Sequence, residues 1–329
     1  MRAVVCRQFG PPESLTIEDL PSPRAGAGQV VVSVRAASLN FPDVLVIQNK
    51  YQIKPPLPFS PGSELAGVVK EVGAGVTSVA PGDRVMAALG VGAFAEEVAI
   101  DAAKLHRIPD PMSFEEASAL LFTYGTCEHA LVDRGSLQPG ETLLVLGASG
   151  GIGTAAIDVG VALGARVIAC ASSEEKLAIC REHGAAETID YAHEDLRDRI
   201  KMLTDGQGVD VVCDAVGGPY SEPALRSTAW RGRFLVVGFA AGEIPKIPLN
   251  LVLLKGCAIV GVFWGDFMRR EPALFIESVR NVCQWYVEGK VKPHISEVLP
   301  LDRAAEALQK MTSRQVTGKI VLRVGSAEL

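Results

Sequence analysis

The sequence contains no Cys-x-x-Cys spacing, and its histidines show no ligand spacing, so neither a zinc knuckle nor any other metal site is predicted. The cysteines are odd in number and scattered, which excludes a disulfide framework and indicates a reducing, cytoplasmic compartment. The residues concerned are Cys6, Cys127, Cys170, Cys180, Cys213, Cys257 and Cys283, with His106, His129, His183, His193 and His294.

Long hydrophobic runs and an excess of positive charge are also missing. The longest uncharged run, residues 142–157, has 16 residues, fewer than the ~20 that a membrane span needs. Residues 1–7 are too short for the apolar core of a signal peptide. With 32 Lys and Arg against 38 Asp and Glu, the chain has no broad positive field for nucleic acid or anionic lipid. We therefore expect neither a membrane nor a nucleic acid as partner.

The length of 329 residues and the apolar fraction of 48% indicate a folded protein of two domains. In the first third, β-branched runs alternate with Pro-Gly turns, which predicts an irregular β-barrel or sandwich. A helix capped by Ser113 follows. Uncharged strands then alternate with helices, as in a parallel sheet that is buried on both faces. Six strands are predicted at residues 142–146, 166–170, 187–189, 209–214, 233–237 and 258–262, with helices at 272–286 and 302–310, a β-like stretch at 294–299 and a last strand at 319–323.

The sharpest motif follows the first of these six strands and reads Leu146-Gly147-Ala148-Ser149-Gly150-Gly151-Ile152-Gly153. Glycine here lets the backbone approach a pyrophosphate, while the N-terminus of the next helix supplies free N–H groups. A tight turn without a ligand is the alternative. The loop also fits the short-chain dehydrogenases, with Tyr286-x-x-x-Lys290 as their Tyr-Lys pair. We reject that family because its glycine loop begins the chain and because Gly289 interrupts the pair.

The end of the second strand decides whether the dinucleotide carries a 2′-phosphate. An Asp or Glu there would accept from the ribose hydroxyls, but the strand runs through Val167 to Ser172 and Ser173 without an acid. This favours NADPH, with Lys176 and Tyr191 as phosphate donors. A solvated helix lysine beside Glu174 and Glu175 is the alternative for Lys176.

Together with this loop, several segments resemble the medium-chain dehydrogenase/reductase superfamily and, within it, the zinc-independent, zeta-crystallin-like NADPH:quinone oxidoreductases. They are Asn40-Phe41-Pro42-Asp43, Pro61-Gly62-Ser63-Glu64-Leu65-Ala66-Gly67, Pro81-Gly82-Asp83-Arg84-Val85, Tyr124-Gly125-Thr126 and Gly318-Lys319-Ile320-Val321. The resemblance implies an α/β fold with a GroES-like β-rich catalytic domain (residues 1–122 and 264–329) and a Rossmann domain with a doubly wound six-stranded parallel sheet (residues 123–263).

The resemblance also implies the site residues. Zinc-dependent relatives carry Cys and His where this chain has Asn40 and Ser63, so no zinc is expected. For Phe263 and Trp264 there are two alternatives, a direct contact with the coenzyme or a structural role as an aromatic plug between the domains. The coenzyme-binding residues implied are Thr126, Ala148, Ser149, Gly150, Gly151, Ile152, Gly153, Ser172, Lys176, Tyr191, Val216, Gly217, Phe239, Ala240, Phe263, Trp264 and Arg314.

The expected reaction is hydride transfer from NADPH to a quinone or another α,β-unsaturated carbonyl, with Asn40 and Tyr51 as hydrogen-bond donors to the acceptor oxygen. Asp43 is a further candidate catalytic residue and could equally stabilise its turn. Relatives often carry a second tyrosine where this chain has Leu45, so water is an alternative proton source. An enoyl-thioester reductase and a non-enzymatic, crystallin-like NADPH-binding protein remain alternatives. The family suggests a homodimer that is joined through residues 258–262.

Overall fold

The structure is a computed structural model and describes residues 1–313 and 316–325. Two compact units divide the chain, Met1–Phe122 with Ile295–Leu329, and Thr123–His294. Among the described residues the strands are β1 (Arg2–Val5), β2 (Thr16–Asp19), β3 (Gln29–Ser38), β4 (Glu64–Val72), β5 (Arg84–Ala88), β6 (Glu97–Asp101), β7 (His106–Arg107), β8 (Thr142–Leu146), β9 (Arg166–Ala171), β10 (Glu187–Asp190), β11 (Val209–Asp214), β12 (Thr228–Val236), β13 (Ala258–Gly261), β14 (Ile295–Pro300) and β15 (Lys319–Arg323). The α-helices are α1 (Phe41–Ile47), α2 (Phe114–Ser118), α3 (Leu121–Glu128), α4 (Gly151–Ala162), α5 (Glu174–Glu182), α6 (Leu196–Leu203), α7 (Ser221–Arg226), α8 (Leu249–Lys255), α9 (Trp264–Arg270), α10 (Pro272–Val287) and α11 (Ala304–Thr312).

The first unit is built on a seven-stranded sheet with the order β14-β15-β3-β4-β5-β7, in which β6 also pairs with β3. The central strand β3 is almost wholly buried, because its valines and alanines pack between neighbouring strands and the core. The ends of β3 and β4 pair antiparallel with Ser38 opposite Glu64, and β15 pairs with β3 at the same end. This register places the end of β3, the start of β4 and the start of β15 next to one another.

The second unit carries a six-stranded sheet with the order β10-β9-β8-β11-β12-β13, and all of its pairs are parallel. The predicted α/β fold with a β-rich GroES-like domain and a doubly wound Rossmann sheet is therefore confirmed. Since the strands are parallel, the loops that follow them all leave from one edge of the sheet, where ligands bind in such folds.

Several elements differ from the sequence-based predictions. β12 begins at Thr228 rather than at residue 233, and α1, α8 and α9 were not predicted. The helix after the glycine loop, α4, is buried on every side from Gly153 to Gly160 because it is enclosed within its unit.

Residues 264–294 belong to the second unit, whereas the sequence-based boundary assigned everything from 264 onward to the first. The reason is packing against α3. A Cβ on Gly125 would lie 3.0 Å from the Trp264 ring, and the amide of Asn281 donates to Glu128 Oε1 at 3.1 Å. These contacts hold α9 and α10 on the second unit.

Candidate active site

A buried polar centre lies in the first unit, where β3, β4, β15 and the start of α1 meet. Asn40, Ser63, Glu64 and Lys319 are all at most 5% exposed. The Lys319 ammonium donates to Asn40 Oδ1 at 2.5 Å and lies 3.7 Å from Glu64 Oε2. Asn40 Nδ2 donates to Ser63 Oγ and to Glu64 Oε2, each at 3.3 Å. Three chain segments are thereby joined by hydrogen bonds around one amide.

Both carboxylate oxygens of Glu64 accept hydrogen bonds. Oε1 accepts the backbone N–H of Phe122 at 2.9 Å, and Oε2 accepts the Ser38 hydroxyl at 3.0 Å. Burial raises the pKa of Glu64, while the Lys319 ammonium opposes that rise. Burial in turn lowers the pKa of Lys319, against the effect of Glu64 and Asp43. Buried ions of opposite sign at this distance compensate each other's lost hydration.

Asp43, in the first turn of α1, is 2% exposed and accepts the backbone N–H of Asn40 at 2.7 Å. This contact caps α1, so Asp43 stabilises its turn, and its catalytic role stays a prediction. Burial raises the pKa of Asp43 to about 6, while hydrogen bonds from Asn40 and Ser63 and the charge of Lys319 act in the opposite direction.

Tyr51, the third candidate catalytic residue, follows α1 and is half-buried against the core of the first unit. Burial and the charge of Asp43 both raise the pKa of its phenol. A phenol with a raised pKa stays protonated and can donate a hydrogen bond at neutral pH. The structure thus brings Asn40 and Asp43 into one network, with Tyr51 within electrostatic reach of Asp43. Sequence reasoning missed Lys319, Glu64 and Ser38 as members of it.

In the second unit, the residues predicted to bind a coenzyme gather at the carboxyl edge of the parallel sheet. Ala148–Gly153 follow β8, Ser172 and Lys176 follow β9, and Tyr191 follows β10. Val216 and Gly217, Phe239 and Ala240, and Phe263 and Trp264 follow β11, β12 and β13 in turn, while Thr126 lies buried in α3. Arg314 lies outside the described residues.

The glycines of the loop serve two different purposes. Gly147 has φ +66°, and a Cβ on Gly153 would lie 2.3 Å from the Gly147 carbonyl oxygen, so both positions need glycine for the protein's own packing. A Cβ on Gly150 would meet nothing closer than that same oxygen, at 3.5 Å. Gly150 is the residue before α4, where the open N–H groups and the positive end of the helix favour a phosphate. The loop therefore fits a dinucleotide pyrophosphate.

At the end of β9 the side chains are Ser172 and Ser173 rather than an acid. Lys176 Nζ donates to Ser172 Oγ at 3.3 Å, which brings the ammonium to the strand end. The two carboxylates of the first turn of α5 are engaged elsewhere, since Glu174 pairs with Arg181 and Glu175 accepts from Ser173. Tyr191 packs against Tyr220 with ring centroids 4.2 Å apart and the rings tilted by 31°, which holds its ring beside the strand ends.

The loop after β11 is fixed by Asp214, which sequence reasoning missed. Asp214 Oδ1 accepts the backbone N–H groups of Val216 and Gly217 at 2.8 Å each, and Oδ2 accepts the Ser221 hydroxyl at 2.5 Å. After β13, Phe263 is 53% exposed whereas Trp264 is 5% exposed and packs on Phe275, with ring centroids 5.8 Å apart. A direct ligand contact thus fits Phe263 and a packing role fits Trp264.

Comparisons with known proteins agree with this architecture. The model of the alcohol dehydrogenase GroES-like domain matches residues 26–110, and the model named zinc-binding dehydrogenase matches residues 151–281. The quinone oxidoreductase-like protein 2 homolog of Nematostella vectensis is 44% identical over 325 residues, which are 98% of this chain and 88% of that protein. The chain belongs to the quinone oxidoreductase family of the medium-chain dehydrogenase/reductase superfamily.

Solved structures of this superfamily superpose over nearly the whole chain. The Escherichia coli quinone oxidoreductase complexed with NADPH has a TM-score of 0.90 at 28% identity and covers 98% of this chain and 100% of its own. A structure titled NAD-dependent alcohol dehydrogenase has a TM-score of 0.91 at 36% identity, with coverages of 99% and 100%. This family member is accordingly a nicotinamide-dependent oxidoreductase that acts on a small molecule.

Two further observations concern the described residues only. No helix in that part of the chain is long and apolar enough to cross a membrane. Within residues 1–313 and 316–325, no group of three or more His, Cys, Asp and Glu side chains is arranged to hold a metal ion.

Proposed function

We propose that the protein is a zinc-independent reductase that uses NADPH to reduce a quinone or another α,β-unsaturated carbonyl compound. The observation that carries this proposal is the buried centre of Asn40, Ser63, Glu64 and Lys319, which contains hydrogen-bond donors and an ammonium. Asn40 and Ser63 stand at the positions where the sequence resemblance implies Cys and His in zinc-dependent relatives. The second unit would bind the coenzyme, and the first would stabilise the oxygen of the acceptor.

The side chains of this centre do not fit zinc. An amide oxygen and a hydroxyl are poor ligands for an ion that prefers thiolate and imidazole. Asn40 Oδ1 already accepts a hydrogen bond from the Lys319 ammonium at 2.5 Å, and that positive charge would repel a bound cation. No step of the proposed reaction therefore uses a metal.

The glycine loop supports the binding of a dinucleotide, and the residues at the end of β9 support the form that carries a 2′-phosphate. The coenzyme would supply a hydride, which carries two electrons and one proton. Gly150 leaves room for the pyrophosphate, while Lys176 at Ser172 offers a cation to a 2′-phosphate without a carboxylate at the end of β9 to repel it. NADPH is preferred to NADH on this account.

The acceptor gains negative charge on a carbonyl oxygen when it receives a hydride, so it needs a hydrogen-bond donor there and then a proton. Asn40 Nδ2 and the Tyr51 hydroxyl are the proposed donors. Asp43, with a pKa of about 6, is proposed to supply the proton that follows the hydride, and water would then return a proton to Asp43. One hydride and one proton convert a quinone to a hydroquinone, and the names of the relatives support a quinone as acceptor.

A second copy of the chain is the proposed partner, bound at the edge strand β13. This strand is mostly exposed, and Leu249, Leu253 and Leu254 of the neighbouring α8 are each more than 70% exposed. An unpaired strand edge beside an apolar patch is typical of an interface. Light scattering should give a dimer for the wild type and a monomer for Leu253→Glu, and a monomeric wild type would refute the interface.

The reducing, cytoplasmic compartment expected from the odd number and scattered positions of the cysteines belongs to the same proposal. The experiment that tests the proposed function is NADPH oxidation measured with naphthoquinones, 2-alkenals and enoyl-CoA, with NADH as the comparison coenzyme. Turnover of a quinone or 2-alkenal with NADPH supports it. NADH turnover exceeding NADPH turnover refutes its coenzyme part.

A further inference from the structure

The orientation of the Asn40 amide is decided by Lys319. An ammonium has three donors and no acceptor, so the atom of Asn40 that lies 2.5 Å from Nζ has to be the oxygen. The nitrogen of the amide consequently faces Ser63 and Glu64. Without the ammonium, the pKa of the buried Glu64 would rise further, and a neutral carboxyl group, like the Ser63 hydroxyl, can either donate or accept a hydrogen bond. Both orientations of the amide would then find partners, and the donor would no longer be fixed.

Lys319 can act in this way because it is itself fixed. It begins β15, is 4% exposed, and lies 3.7 Å from a carboxylate whose two oxygens are held by Phe122 and Ser38. Its ammonium also lies 6.0 Å from the centre of the Phe122 ring. A buried lysine with these neighbours has little freedom to move away from Asn40.

We propose that Lys319 is a positioning residue of the reduction centre, which holds the Asn40 amide in the one orientation that presents Nδ2 as a donor to the acceptor oxygen. This inference rests on the proposed function and adds a residue to it. The two hydrogen bonds that Nδ2 makes are long, at 3.3 Å, so a shorter bond to an oxygen with developing negative charge can replace one of them at little cost.

The opposite orientation would place Oδ1 where the acceptor's charge develops, and it would repel rather than stabilise that charge. Lys319 would thus act on the rate of reduction rather than on coenzyme binding, since the predicted coenzyme residues that the structure describes lie in the second unit.

The test compares Lys319→Met, which keeps an unbranched apolar stem, with Lys319→Arg, which keeps the donors and the charge. The expected loss for Lys319→Met is at least tenfold in kcat with quinone, with the KM for NADPH within about twofold of wild type, and Lys319→Arg should recover part of the loss. Equal kcat in Lys319→Met and wild type overturns the proposal.

A pH profile separates positioning from a purely structural role. The charged or titratable groups that act on Asp43 are Lys319, Glu64 and Tyr51. Because the Lys319 charge lowers the pKa of Asp43, the inflection near pH 6 in the rate profile should move to higher pH in Lys319→Met and stay in place in Lys319→Arg. A loss of thermal stability with an unmoved inflection would make Lys319 structural only.

One further measurement keeps the inference testable if Lys319→Met does not fold or if no acceptor is turned over. The double variant Lys319→Met with Glu64→Gln removes both buried charges together, which is often tolerated where removing one is not. A high-resolution crystal structure of this variant should show the Asn40 amide turned or in two orientations. An amide that keeps its wild-type orientation there overturns the positioning role, whereas an inactive wild type overturns the proposed function.

Discussion

The Tyr124 hydroxyl donates a 2.6 Å hydrogen bond to Oδ2 of Asp158, and both side chains are buried. The other carboxylate oxygen, Oδ1, lies 2.6 Å from His183 Nδ1, and the backbone N–H of Lys292 donates to Oδ2 at 3.3 Å. Asp158 thus ties together α3, α4, the end of α5 and the segment after α10. This carboxylate therefore anchors the Tyr124-Gly125-Thr126 segment, in which Thr126 is a predicted coenzyme-binding residue.

Tyr124→Phe should therefore destabilise the protein by about 1–3 kcal/mol, because a buried carboxylate loses a donor. Urea unfolding of Tyr124→Phe, Asp158→Asn and the double variant measures the coupling. The two single effects should not add, since both variants weaken the same bond. Additive losses would show that the hydrogen bond contributes nothing to stability.

The glycine loop gives a matched pair of variants. Gly150→Ala should unfold like the wild type, because its Cβ meets no atom closer than 3.5 Å, but it should weaken NADPH binding by roughly tenfold or more, since the Cβ takes space from the pyrophosphate. Gly153→Ala should lose more than about 2 kcal/mol of stability, because its Cβ would lie 2.3 Å from a carbonyl oxygen. Calorimetric titration and thermal unfolding measure both. Unchanged NADPH affinity in Gly150→Ala would contradict the assignment of the loop.

The choice between coenzymes should depend on the end of β9. Lys176→Ala should lower kcat/KM for NADPH by about 10–100-fold and leave that for NADH almost unchanged, because only NADPH carries the phosphate that the ammonium would bind. Ser172→Asp should lower the NADPH value and raise the NADH value. Lys201→Ala, an exposed lysine of α6 in the same unit, is the control. A parallel fall with both coenzymes in Lys176→Ala would argue against a phosphate contact.

Asp43 should make the stability of the protein depend on pH. Its pKa is raised from 3.8 to about 6 in the folded state, so the folded protein binds this proton more tightly than the unfolded chain. The resulting stabilisation is present below about pH 4 and is lost as the pH rises through about 6, by roughly 2–3 kcal/mol. Asp43→Asn, which keeps an acceptor for the N–H of Asn40, should lack this loss. Denaturant unfolding of both proteins from pH 4 to pH 7 measures the difference, and parallel profiles would contradict a raised pKa.

The Rossmann half could be predicted well because its signals are local. Buried parallel strands are continuous apolar runs, so β8 and β11 have the predicted bounds, and the glycine loop marks the start of α4. By contrast, α8 was missed because Leu249 to Leu254 are mostly exposed leucines with no polar face to give a helical period.

The buried centre of the first unit could not be derived from local pattern. Lys319 and Asn40 are 279 residues apart, and only the pairing of β15 with β3 brings them together. A signal was present, since Lys319 and Glu64 each stand beside apolar strand residues, where a charge is costly unless it has a partner. Two such residues of opposite sign in one domain could have suggested a buried pair, but not the amide between them.

Zinc-independent reduction of a quinone by NADPH is tested by measuring NADPH oxidation by the purified protein with a naphthoquinone, in buffer with a metal chelator and after removal of metals. We predict turnover that is unchanged by the chelator, faster with NADPH than with NADH, and reduced at least tenfold in Asn40→Ala, which lacks the donor proposed for the acceptor oxygen. Loss of activity on chelation with recovery on addition of zinc, or faster turnover with NADH, would contradict the account.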